Sequence, residues 1–376
     1  MIQLYILLTA SIFLAGLSQK YQENCKRHGI QYRLIHDKAY LVLLVTLILF
    51  SGLRTAYNDT TAYLAGFSGA TGIRHFLEDP HNLNIFRNPA FYSYQSLLRS
   101  FFDNGQILIF TTSAFTQTCF LLFFKRYSKS FRFSIFIYIT LGTFCFTMAA
   151  VKQVVAMAVL TLGFPYLKRR KYSIFYLYVF LAMLFHTYAL IFSFLPLFID
   201  TPWKPFTYLF LLITILILLN FQDAISSFMD QANDLGKTLS EEEIFDNHSV
   251  NTFRLLVYMV VPLASLVFQR WLFYDSGRMD HIFVHMSIIS MSFMILGTQS
   301  GANMFGRMAT YFELGTICCM PWILKKIFDR PSYVLVRRIA VVCFLGYFTY
   351  AYGVSQDFSA NYNAIPLWQF LQTLSP

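Results

Sequence analysis

Nine side chains carry the chemistry this sequence can offer: Arg54, Asp59, Tyr63, Lys152, Gln153, His186, Arg254, Arg307 and Glu313. All stand near the ends of apolar runs. Arg54, Lys152, Arg254 and Arg307 are cations suited to phosphate, arginine through a bidentate fork and lysine as a point charge. Asp59 and His186 are the candidate general bases. Tyr63, Gln153 and Glu313 complete the set. Each residue also has an ordinary reading. The arginines can snorkel to headgroups. Asp59, within Asn58-Asp59-Thr60-Thr61, can cap a helix that starts at Thr60. His186 can be a satisfied turn residue, Glu313 can pair with a neighbouring cation, and Tyr63 can be an interfacial anchor.

The elements that must position these residues are apolar helices. Hydrophobic residues make up 56% of the 376 and charged ones 13%, and the mean hydropathy is +0.51. No soluble domain of that composition could cover its surface with polar groups. The apolar residues come in blocks, and about 20 in a row cross a bilayer. The reading is an all-α polytopic membrane protein of about 12 transmembrane helices, forming a single domain over 1–376. The spans fall near 2–17, 39–53, 106–124, 134–150, 153–167, 172–186, 187–199, 205–221, 252–268, 281–296, 307–323 and 337–353. The first is read as a span and not a signal peptide, because no basic segment precedes it.

Orientation follows from lysine and arginine in the connections. The connections 18–38, 125–133 and 168–171, the pair Arg270 and Arg278, and the cluster from Lys325 to Arg338 all fall on one side, which is then cytoplasmic. Both termini lie outside. So do the 54–105 loop and the acidic loop 222–251 with Glu241, Glu242, Glu243 and Asp246. The scheme requires that 90–102 does not cross. Phe91, Tyr94, Leu98 and Phe101 recur there at helical spacing, which fits an extracytoplasmic amphipathic helix. On this topology all nine candidates lie toward the outer face. Cations at outer span ends are unusual, so they call for a function. Several cations near an outer membrane surface suit a lipid phosphate or pyrophosphate.

The net charge of +10 is spread over short loops and has no contiguous basic face, so no nucleic acid is expected. The six cysteines lack metal-ligand spacing, and no metal or cofactor is expected. Gly236-Lys237-Thr238 lacks the earlier glycine of a phosphate loop, and there is no Gly-x-Ser-x-Gly elbow.

At these same residues the sequence resembles the EpsG family of bacterial membrane proteins, Wzy-like polymerases of O-antigen and exopolysaccharide repeat units. The likeness rests on four stretches. They are Arg54-x4-Asp59-x3-Tyr63; Lys152-Gln153-Val154-Val155-Ala156 followed by the basic turn at 168–171 and Leu184-Phe185-His186; Asn251-Thr252-Phe253-Arg254; and Phe305-Gly306-Arg307-Met308-Ala309-Thr310-Tyr311-Phe312. The family usually has Arg-Gln where this chain has Lys152-Gln153, and often Glu-Pro where it has Asn88-Pro89.

The resemblance implies a multi-pass protein of the bacterial cytoplasmic membrane. Its substrates would be glycans on undecaprenyl pyrophosphate at the outer face, and membrane lipids, a chain-length regulator and a flippase would be its partners. It implies a glycosyltransferase, inverting and metal-independent. Arg54, Lys152, Arg254 and Arg307 would bind pyrophosphate, and Asp59 or His186 would be the base. A transporter or flippase of the same glycan is the alternative. It predicts charges at the bilayer midplane and internal repeats, and neither is visible in the sequence.

Overall fold

The computed structural model describes residues 1–221, 250–299 and 303–373. The acidic residues expected in the 222–251 loop and Gly236-Lys237-Thr238 lie outside the described residues. Where the sequence reads as one domain, the chain divides into two compact units: Met1–Leu190 with Val334–Pro376, and Ile191–Tyr333.

Helices dominate both. In the first unit they are α1 Ile2–Arg27, α2 Lys38–Gly52, α3 Thr60–Ser68, α4 Ile73–Glu78, α5 Pro89–Arg99, α6 Gln106–Tyr127, α7 Phe131–Thr140, α8 Thr143–Ala149, α9 Val151–Lys168 and α10 Tyr172–Phe185. A 3-10 helix follows at Thr187–Phe198. The second unit holds α11 Pro205–Leu219, α12 Thr252–Val267, α13 Arg278–Leu296 and α14 Asn303–Ile327. Then come α15 Arg330–Thr349 and, near the C-terminus, α16 Leu367–Gln372.

The expected count of about twelve full spans is not what the helix lengths give. Among the described residues four helices are long and apolar enough to cross a membrane: α1, α6, α13 and Arg330–Ser355. A fifth arises if α7 and α8, bent by 53°, count as one. Several other expected spans are apolar but short. A helix such as α2, with 15 residues, rises about 22 Å at 1.5 Å per residue against about 30 Å of hydrocarbon. The α7–α8 bend has a local cause. Gly142 takes φ +98°, and a Cβ there would meet the Tyr352 hydroxyl.

One element departs from the all-α expectation. Arg54–Ala56 forms a strand, β1, which pairs antiparallel with β2, Asn363–Ala364. Ile365 extends the junction, its N–H donating to the Leu53 carbonyl at 3.0 Å. The Met1 amino group donates to Ser359 Oγ. The two ends of the chain therefore gather at the end of this unit where α2 stops.

Helices α2 and α6 pack side by side and are tied at both ends. At one end Gln106 Nε2 donates to the carbonyls of Gly52 and Arg54, at 2.8 and 2.9 Å. At the other, Lys125 pairs with Asp37 at 3.3 Å. Asp37 is the N-cap of α2 and accepts from the Tyr40 N–H at 3.0 Å, which satisfies one of the helix's open donors.

Candidate functional site

The stretch between α2 and α6 shapes a cleft. Asn88 enters the left-handed region (φ 54°), which asparagine tolerates, and Pro89 then opens α5 with its fixed φ. The Asn88 Oδ1 accepts from the Thr187 N–H at 3.1 Å. Phe91 turns into a core cluster with Leu53, Phe67, Ile107, Leu108, Val151 and Phe370. The apolar face of α5 thus packs on protein, while Phe101, beyond its end, is exposed. Gln95 Nε2 donates to the Gly66 carbonyl at 2.8 Å and fastens α5 to α3.

Between these walls lies a cavity of about 550 Å³, lined among others by Asp59, Tyr63, Gly66, Asn82, Tyr92, Gln95 and Lys152. Three of the nine sequence candidates, Asp59, Tyr63 and Lys152, are brought together here. Asp59 stands at the N-cap of α3, yet its side chain makes no capping hydrogen bond. The Thr60 hydroxyl does the local bonding instead, donating to the Tyr57 carbonyl at 2.7 Å. The carboxylate is exposed and has no ion-pair partner among the described residues. Lys152 reaches in from the first turn of α9. Its Nζ donates to the Tyr92 hydroxyl at 3.1 Å and lies 5.0 Å from the centre of that ring. It too has no carboxylate partner among the described residues. Tyr63 sits edge-on to Phe91, ring centres 5.8 Å apart.

Arg54 stands elsewhere. It is fully buried, its Nε donating to Thr60 Oγ1 at 3.0 Å and a terminal nitrogen to Ser113 Oγ at 3.1 Å and to the Ser51 carbonyl. Burial brings its pKa down to about 10, so it stays charged at neutral pH. Its partners are neutral oxygens, and among the described residues no carboxylate pairs with it. A guanidinium so enclosed ties the start of α3 to α6 and does not line the cleft. Gln153 is buried beside Lys152 and does not line the cleft. Nor does His186. It ends α10, its ring 5.0 Å from that of Tyr188, in the turn that holds Asn88.

The second unit gathers its own candidates. The Tyr258 hydroxyl donates to Glu313 Oε1 at 2.6 Å, and Arg254 lies over the Tyr258 ring at 5.6 Å with a nitrogen 3.5 Å from its hydroxyl. Glu313 is buried on α14, and Arg307 is exposed six residues earlier on the same helix. Sequence reasoning missed Tyr92 and Asn82. The only signal for Tyr92 was its place on α5, three residues past a helix-opening proline. Among the described residues no three His, Cys, Asp or Glu side chains converge as a metal site.

A family model described as the EpsG family matches residues 38–367. No curated protein matches the chain. No solved structure matches it either.

Proposed function

This chain belongs to the EpsG family, and on that premise we propose that it polymerises glycan repeat units carried on undecaprenyl pyrophosphate, at the outer face of the bacterial cytoplasmic membrane. One observation carries the reading. The carboxylate of Asp59 and the amine of Lys152, neither in an ion pair among the described residues, line the same open cleft.

In this mechanism Asp59 is the base. It takes the proton from a hydroxyl of the incoming repeat unit as that oxygen bonds to the anomeric carbon of the growing glycan. The bond from that carbon to the pyrophosphate oxygen breaks with inversion, and the electron pair leaves on the lipid pyrophosphate. Lys152, held by Tyr92, stabilises the charge that develops there. The leaving group is already activated, so no nucleotide enters. His186 becomes a positioning residue, because its turn anchors Asn88 and hence α5. Arg54 acts in the same way on α3. Arg254 and Arg307 of the second unit are further pyrophosphate-binding candidates, and Glu313 holds its place among the site candidates through Tyr258.

The test is reconstitution. The purified protein in liposomes, given lipid-linked repeat units, should yield a ladder of oligomers on a gel, and Asp59→Asn should yield single repeats. Alanine at Arg254 or Arg307 is read on the same gel. Movement of the substrate across the bilayer with no new glycosidic bond would make the protein a transporter and end this proposal.

A further inference from the structure

Helix α3 has a second cleft on its far side. At about 100° per residue, Ala62, Tyr63 and Gly66 share the face toward Asp59 and Lys152, while Leu64 and Ser68 point the opposite way. The second cavity, of about 490 Å³, is lined among others by Thr55, Ser68, Asn104, Gln106, Gln369 and Thr373.

Residues far apart in sequence build it. The β1–β2 pairing brings the C-terminal stretch beside α3. Phe370 of α16 then buries in the core cluster and stacks on Phe110 with ring centres 4.6 Å apart, which sets Gln369 and Thr373 at the cavity wall. Gly105 closes the approach from α6, since a Cβ there would lie 3.1 Å from Phe67 Cβ. On its solvent side α16 exposes Leu367, Trp368 and Leu371, a composition suited to a membrane–water interface.

The chemistry of this lining differs from that of the Asp59 cleft. Beside Leu64, Gly105 and Ile365, its polar side chains are mostly hydroxyls and carboxamides. Its one charged member, Asp103, is already paired with Arg99. Part of the polar set is spent on structure: Asn104 Oδ1 accepts from the Gln106 N–H, and the Gln106 amide holds the Gly52 and Arg54 carbonyls. The Asn104 amide nitrogen, the Gln369 carboxamide and the Thr55 hydroxyl have no bond within the described residues, so they are open to a ligand. A phosphate would need a cation here and finds none among the described lining residues. An acyl chain would leave these amides unpaired. Sugar hydroxyls, which both donate and accept and carry no charge, match the set.

We infer that this second cleft is a saccharide subsite, which holds an uncharged stretch of the glycan on one side of α3 while bond formation proceeds on the other. The inference rests on the polymerase reading for the identity of its ligand and not on the roles of Asp59 and Lys152.

The probe is the repeat-unit oligosaccharide released from the producing strain's polysaccharide by mild hydrolysis, free of lipid. It is titrated calorimetrically into the full-length protein in nanodiscs. The double variant Asn104→Ala/Gln369→Ala should weaken binding by at least about tenfold, the loss of one or two neutral hydrogen bonds. It should also shorten the polymer ladder. Asp59→Asn should bind the oligosaccharide as the wild type does. Both substituted side chains are exposed, and an unchanged unfolding temperature checks that the variant folds. Unchanged affinity in the double variant overturns the subsite, as does displacement of the oligosaccharide by glycerophosphoethanolamine, which would mark a lipid-headgroup site. If the oligosaccharide binds through Asn104 and Gln369 yet the wild type makes no polymer, the subsite stands and the polymerase reading falls.

Discussion

Two regions of the first unit use the same residue types to opposite effect. At one end of α6, Asp37 and Lys125 are both buried and close on each other at 3.3 Å. Ser18 Oγ and the Tyr32 hydroxyl each lie 2.7 Å from the carboxylate, and Lys125 donates to Ser18 Oγ at 2.6 Å. Every group in that set is answered by another, and burial beside Asp37 pushes the Tyr32 phenol pKa well up. The other region adjoins the opposite end of α6, about 28 Å away at 1.5 Å per residue. There Asp59 and Lys152 line one cleft, and among the described residues neither is in an ion pair. A closed pair holds helices together, and its breakage leaves a buried charge alone. An open pair stabilises little and stays available to a substrate, the usual mark of a site maintained at some cost in stability.

That contrast can be broken in order of expected effect. The largest change should come from Asp59→Asn, which removes a base worth about 10²–10⁴-fold in rate. Polymerisation in liposomes should fall by that factor while unfolding shifts by less than about 0.5 kcal/mol, as for an exposed residue. A large loss of stability instead would place Asp59 with Asp37 as a structural acid.

Next comes Lys125→Met, which should destabilise the protein by about 3–5 kcal/mol because Asp37 is left buried without its partner. The measurement is thermal unfolding in detergent, followed by thiol labelling of the buried cysteines Cys25, Cys119, Cys145, Cys318 and Cys319. Adding Asp37→Leu to that variant should recover much of the loss; no recovery would show that the pair is not the source of the effect.

Lys152→Ala should lower the polymerisation rate by about 10²-fold, on the scale of one lost electrostatic stabiliser. Lys152→Arg should retain activity, since the guanidinium keeps the charge and adds a fork. Equal damage from both would mean that Lys152 serves Tyr92 and not a phosphate. The smallest effect is expected from Arg54→Lys. It keeps the charge but cannot meet Ser51, Thr60 and Ser113 together, so about 1–3 kcal/mol of stability should go as buried acceptors lose their donor. A collapse of activity in a stably folded Arg54→Lys protein would return Arg54 to the substrate-binding groups.

Much of this was legible in the chain alone. Apolar blocks and the scarcity of charge established helices in a membrane, because that composition leaves the backbone and the side chains no other solvent. Local chemistry marked where α3 begins, at Asp59, and where α5 begins, after Pro89. The residues near 54–63 and 152 were picked out by type, and the cleft does join Asp59, Tyr63 and Lys152. Tertiary structure decided the rest. Arg54 reads like a surface cation, but the β1–β2 pairing with residues 363–364 encloses it. The Asp37–Lys125 closure and the second cleft likewise need partners dozens to hundreds of positions away. Side-chain spacing records which face of a helix a residue occupies. It cannot record what another part of the chain lays against that face, and that alone sets whether a charge is neutralised, buried or left open to react.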